Sequence, residues 1–170
     1  LTTGLGLAGL AALPAMAQDK FPSRPITLVV PFPPGGSVDI MARQYSEPLS
    51  RVLGVPIVVE NRAGAGGSVG AQYVARSKAD GYTLVVSSQS SHLANPLTQP
   101  KIGYDPVKDF TPVALAGTFD FAVTAGPGAP AGDLKAVLAW MKANPTKANY
   151  ATSGAGTVPH FAGQLLAQAS

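Results

Sequence analysis

The sequence predicts an α/β fold built on a parallel sheet. Three observations carry this: apolar runs of strand length bounded by prolines and glycines, helix-period stripes between them, and small-residue turns where strand gives way to helix. The elements follow in chain order. Residues 5–13 are apolar, glycine-rich and uncharged, and they end in Pro14-Ala15-Met16-Ala17, an A-x-A cleavage pattern. This predicts the h- and c-regions of a secretory signal peptide over residues 1–17, with Gln18 as the first mature residue. The run is too short to span a bilayer as a helix. No charged n-region precedes it and the chain opens on Leu1, so an incomplete signal is expected.

Residues 26–32 form a continuous apolar run, suited to a strand buried on both faces. Pro33-Pro34-Gly35-Gly36 then turns the chain, and Val38, Ala42, Tyr45, Leu49 and Val52 mark one face of a helix over 37–53. Ser37 reads as its N-cap and Gly54 as its stop. Pro48 falls inside the stripe, where it is expected to kink or split the helix. Residues 55–60 read as a second strand, 61–67 as a glycine turn, and 68–78 as a shorter helix capped by Ser68. Asp80-Gly81 turns into a third strand over 82–86. This is a βαβαβ unit, expected to have parallel strands and right-handed crossovers.

The pattern then loosens. Residues 87–110 read as a polar, proline-interrupted loop. Apolar residues return at 113–116 and 119–123. A helix is expected around Leu134, Val137, Leu138 and Met141, ended by Asn144-Pro145. Residues 149–152 read as a short strand, and Ser153-Gly154-Ala155-Gly156-Thr157 opens a last helix with Phe161 and Leu165 on its stripe. The chain stops inside that helix without a capping signal, so a truncated carboxyl end is expected. A strand, a small-residue turn and a helix thus recur three times, at 31–37, 61–68 and 152–157.

Composition narrows the function. Hydrophobic residues make up 46% and charged residues 12%, a globular composition. The formal charge of +3 is spread without a basic run, which gives no footprint for nucleic acid. Cysteine is absent, which excludes disulfides, thiolate metal sites and cysteine nucleophiles; two histidines, His92 and His160, make a His-rich metal centre unexpected. No cofactor is expected. Each strand-to-helix turn exposes backbone N–H groups at the positive end of a helix, a place to hold an anion. Two enzyme classes compete with a binding role. An exported serine hydrolase of α/β type is the alternative reading, although no G-x-S-x-G elbow occurs. A nucleotide-binding enzyme lacks support, because Val69 takes the third-glycine position after Gly64 and Gly66, and no Walker lysine follows either glycine turn.

Five segments together resemble one family: Pro31-Phe32-Pro33-Pro34-Gly35-Gly36-Ser37-Val38-Asp39; Val58-Val59-Glu60-Asn61-Arg62-Ala63-Gly64-Ala65-Gly66-Gly67; Asp80-Gly81-Tyr82-Thr83-Leu84; Tyr104-Asp105-Pro106-Val107-Lys108-Asp109-Phe110; and Asn149 to Thr157 with His160. They resemble the substrate-binding proteins of tripartite tricarboxylate transporters, the Bug receptors. The resemblance implies a type II periplasmic-binding-protein-like fold, two α/β lobes around a ligand cleft. Residues 18–118 would be most of lobe 1, lacking its return, and 119–170 the truncated beginning of lobe 2. It further implies a periplasmic, non-catalytic receptor for a small carboxylate. Such a receptor serves membrane permease subunits, in some members signals through a sensor kinase, and is expected to be a monomer without metal.

The candidate site residues follow from these turns. Pro33, Pro34, Gly35, Gly36, Ser37 and Val38 form the first candidate: the prolines stiffen the loop, the glycines let the backbone approach a ligand, and the free N–H groups of Ser37 and Val38 would hold a carboxylate, directly or through water. On local sequence alone a tight turn is the simpler account, and the resemblance reverses that preference. Asp39 reads either as a helix-dipole acid or as an acceptor for a ligand amine or hydroxyl. Ser88, Ser91 and His92 lie beyond the carboxyl end of the third strand, where ligands of open α/β sheets bind; a solvated loop with a structural histidine is the competing account. Ser153, Gly154, Gly156, Thr157 and His160 would form the opposing jaw, against a plain Ser/Thr helix cap.

Overall fold

The computed structural model describes residues 20–169, and the expected signal peptide lies outside them. Three strands form one sheet: β1 (Ile26–Val30), β2 (Ile57–Asn61) and β3 (Thr83–Val85), in the order β2-β1-β3. Both pairings are parallel, with Ile26 opposite Ile57 and Thr27 opposite Thr83. The most apolar run therefore takes the centre. Val29 and Val30 are completely buried, as a strand covered on both faces requires.

Helix α1 (Ser37–Leu53) and helix α2 (Ser68–Ala75) provide those covers. Leu28 and Val30 point to one face by strand alternation and pack with Val38 and Ala42 of α1, with Ile57, Val59, Leu84 and Val86 around them. Burying a side chain as completely as Val30 contributes roughly 1.5–3 kcal/mol, and the partly buried ones less. On the other face Gly70 of α2 sits against Pro31, so close that a Cβ there would lie 2.8 Å from the proline. The core of the described chain sits around β1, and the strand's carboxyl end delivers the backbone into the loop that begins α1.

Several boundaries differ from expectation, for physical reasons. Helix α1 starts on Gly36 as N-cap, with no side chain capping it, so Ser37 is its first residue. It runs through Pro48 without a break and stops at Gly54, whose φ is 71°. Only Val38 and Ala42 of the expected stripe are buried; Tyr45, Leu49 and Val52 are exposed among the described residues. Ser68 does not cap α2; Gly67 does, and Ser68 is buried with its Oγ accepting from Asn95 Nδ2 at 2.9 Å. Helix α2 ends at Ala75, three residues short of the expected end.

The stretch expected to be loop contains a π-helical turn (Ser90–Ala94) that runs into a short helix α3 (Asn95–Thr98). Pro96 does not break it, because it stands in the first turn of α3, where no N–H is needed. The expected strand at 149–152 does not form; among the described residues it pairs with no strand. Tyr150 packs instead on Gly163 of helix α5 (Val158–Ala169). Helix α4 (Leu134–Ala143) forms as expected, capped by Asp133, whose Oδ1 accepts from Ala136 N at 2.9 Å. Among the described residues no helix is long and apolar enough to cross a membrane.

Candidate functional site

The carboxyl ends of β1 and β3, the start of α1 and the turn before α5 surround a cleft of about 260 Å³. Its lining is Phe32, Pro33, Pro34, Gly36, Ser37 and Val38 from the first loop, Ser88 and Ser90 beyond β3, Phe119 and Phe121, and Ser153. The location follows from the topology. β1 is central and its two neighbours leave it on opposite sides, so the loops at its carboxyl end diverge and open a crevice.

Prolines stop the strand, and two glycines then let the backbone reverse. Gly35 needs this freedom, with φ of 85° and nothing within 4 Å of where a Cβ would sit. The first amides of α1 have no intrahelical acceptor and no side-chain cap, so positive partial charge faces the cleft at Gly36–Val38. Ser88 adds a hydroxyl whose oxygen is buried and has no hydrogen-bond partner. The aromatic rings of Phe32, Phe119 and Phe121 give the remaining wall an apolar character. Such a cleft offers amide and hydroxyl donors to an anionic head and apolar surface to a short carbon skeleton.

Asp39 stands behind this loop rather than in the cleft. It is only 2% exposed and does not line the crevice. Its Oδ2 accepts from Gly35 N at 2.9 Å and from Arg43 Nε at 3.0 Å, while Oδ1 accepts from Asn61 Nδ2 at 2.8 Å. The Arg43 bond, then the Gly35 amide, then Asn61 hold its pKa down at about 2. Asp39 thus occupies the Gly35 N–H.

The structure brings Pro34, Gly36, Ser37, Val38, Ser88 and Ser153 together around the cleft. Gly35 belongs to the same loop but does not line it. Ser91 is fully buried and closes a local turn, its Oγ accepting from Ser88 N and donating to Ser88 O, both at 3.2 Å. His92 packs its ring on Phe110 at 4.5 Å and near Tyr104 at 6.2 Å, and burial pushes its pKa down. Tyr104 in turn donates to Ser91 O. His92 is therefore part of an aromatic cluster with Tyr104 and Phe110 rather than of the cleft lining. Thr157 is fully buried, its hydroxyl donating to Gly154 O at 2.6 Å. Gly154 and Gly156 shape that turn with φ of 135° and 78°. His160 lies against Phe161 and Tyr150. None of these last four lines the cleft.

Pro33 of the expected loop also lines the cleft, whereas Phe32, Ser90, Phe119 and Phe121 are cleft residues that the sequence alone did not single out. Ser90 also accepts from Val158 N at 3.2 Å, so it caps the start of α5 from across the cleft. The signals were present: Phe32 stands in the glycine loop, Ser90 in the serine cluster, and the other two phenylalanines in an alternating apolar run. Among the described residues no group of three or more His, Asp or Glu is placed to hold a metal ion.

Comparison with known proteins places the chain. It is 41% identical over 163 residues to the protein BugT of Bordetella pertussis, a match covering 95% of this chain and 49% of BugT. A solved structure described as a periplasmic transporter superposes with a TM-score of 0.77 at 44% identity, over 88% of this chain and 50% of that one. MatC from Rhodopseudomonas palustris, solved with bound malate, superposes with a TM-score of 0.74 at 36% identity, over 86% of this chain and 51% of MatC. The fold is thus that of about half of a periplasmic binding protein, and the chain spans about half the length of the curated relatives it matches. The family model for the tripartite tricarboxylate transporter family receptor matches residues 41–170, and the chain belongs to that family.

Proposed function

We propose that this chain is the ligand-receiving part of a periplasmic solute receptor that binds a small carboxylate for a tripartite-type transporter. One observation carries the reading: the uncapped amides at the start of α1 share a cleft with the unpartnered Ser88 hydroxyl and three phenylalanine rings. An anionic head satisfies the amides and hydroxyl, and a short aliphatic body contacts the rings. The ligand class gains support from MatC, a 36% identical structural relative that carries malate. In this reading residues 18–118 belong to one lobe and 119–170 begin the second, with 113–123 crossing between them. The ligand is held and released unchanged, the partners are the membrane permease subunits, and export to the periplasm uses residues 1–17 as a cleaved signal. Of the expected second jaw, Ser153 reaches the cleft and Ser90 joins it.

Isothermal titration of the full-length protein against a panel of mono-, di- and tricarboxylates, malate included, tests this. Micromolar or tighter binding of at least one member is expected. A blank panel, with binding of a neutral or cationic solute instead, would overturn the carboxylate assignment.

A further inference from the structure

The loop that carries the anion-receiving amides has little packing of its own. A Cβ at Gly35 would meet nothing within 4 Å, and one at Gly36 would meet only Pro33 O at 3.7 Å. A Pro-Pro-Gly-Gly segment so bare would sample several backbone conformers unless it were tethered. The tether is one side-chain lattice. Asn61, the last residue of β2, donates through Nδ2 to Phe32 O at 3.1 Å and to Asp39 Oδ1 at 2.8 Å. Asp39 Oδ2 accepts from Gly35 N at 2.9 Å. Arg43, one helical turn beyond Asp39, donates to Asp39 Oδ2 at 3.0 Å and to Asn61 Oδ1 at 3.1 Å. The loop is thereby held at its entry, through Phe32 O, and at its midpoint, through Gly35 N, by groups outside the cleft.

We propose that Asp39 is the positioning residue of the anion-receiving loop, acting through Asn61 and Gly35 without touching the ligand, and that Arg43 masks its charge. The assignment deepens the carboxylate reading and rests on it. A carboxylate directly behind an anion site would repel the ligand; the Arg43 guanidinium, half-exposed and ion-paired at 3.0 Å, offsets that charge. The lattice sets the amides of Gly36, Ser37 and Val38 toward the cleft before ligand arrives, so ligand ordering costs less. It also withdraws the Gly35 N–H from the ligand.

The test uses the full-length protein without ligand and with malate. In Asp39→Ala and in Asn61→Ala, amide hydrogen exchange at Gly35, Gly36 and Ser37 of the ligand-free protein is expected to quicken by about tenfold or more, the scale of one lost charge-assisted bond. Malate affinity falls by a similar factor, and the double variant is no worse than the worse single one. In Arg43→Gln, dianionic malate loses more affinity than a monocarboxylate such as lactate, and the difference shrinks in high salt. A merely structural role does not move that charge-dependent ratio. Unchanged exchange in both Asp39→Ala and Asn61→Ala, with native circular dichroism, overturns the proposal; so does lost affinity in Asp39→Ala with Asn61→Ala unaffected, which marks direct ligand contact. If Asp39→Ala fails to fold, Asn61→Ala decides by itself. A wild-type protein that binds no carboxylate sinks the ligand reading, while the exchange comparison still decides the positioning role.

Discussion

At the scale of single residues, the chemistry turns on which polar groups already have partners. Asp39 has its full set, and its pKa is lowered from 3.8 to about 2. A depressed carboxylate stabilises the fold above its unfolded pKa and ceases to do so as pH falls through the folded one. The thermal midpoint of the wild type should therefore exceed that of Asp39→Asn by a constant margin at neutral pH. The margin should close as pH falls from about 4 to about 2, followed by scanning calorimetry across that range. Ser88 is the opposite case, a buried hydroxyl oxygen with no partner. Ser88→Ala should leave the melting temperature unchanged or slightly raised, because no bond is lost. If Ser88 donates to the ligand, carboxylate affinity should drop roughly tenfold, read by titration. Pro34, Gly36, Ser37, Val38, Ser88 and Ser153 were legible as residues near a turn, and they do meet at the cleft. For Asp39 and His92 the sequence offered a structural role beside a ligand role and could not choose, because whether a side chain faces a cleft or a neighbour depends on partners distant in sequence, Asn61 for one and Phe110 for the other.

At the scale of elements, glycines mark where the backbone has no alternative. Gly54 ends α1 at φ of 71°, with nothing within 4 Å of where a Cβ would sit, so the cost of a substitution there is purely conformational. Gly54→Ala should destabilise by about 1 kcal/mol, and Gly54→Asn by less, measured by urea unfolding. Gly70 makes the complementary point. Its backbone is helical, but a Cβ would lie 2.8 Å from Pro31 and 2.9 Å from Arg62 O. Gly70→Ala should cost roughly 1–3 kcal/mol through overpacking between α2 and the end of β1. Strands and long helices were legible because period and length are local properties. The π-helical turn and α3 were missed because prolines and serines serve as turn formers and as first-turn helix residues alike. The strand expected at 149–152 failed for the converse reason: a strand needs a partner edge, which local pattern does not supply.

At the scale of the whole molecule, the segment 113–123 is exposed along its entire length. It alternates apolar and small or polar residues, yet pairs with no strand among the described residues, and Leu115 is 83% exposed. Val113, Phe121 and Val123 are exposed beside it. Contiguous apolar exposure of this kind favours association. The 170-residue chain by itself should bind a hydrophobic dye and self-associate in sedimentation velocity. The amides of 113–123 should be protected from exchange in a full-length protein, and rapid exchange there would contradict this.

The alternation of strand and helix, the parallel order and the position of the glycine loop at a helix start were all determined by the sequence, since each follows from local periodicity and from what proline and glycine permit. Tertiary structure alone decided which hydroxyl is left without a partner, that Asn61 reaches back to Phe32 and Asp39, and that Ser90 caps a helix 68 positions away in sequence. Those outcomes depend on three-dimensional proximity between segments whose spacing along the chain carries no trace of it.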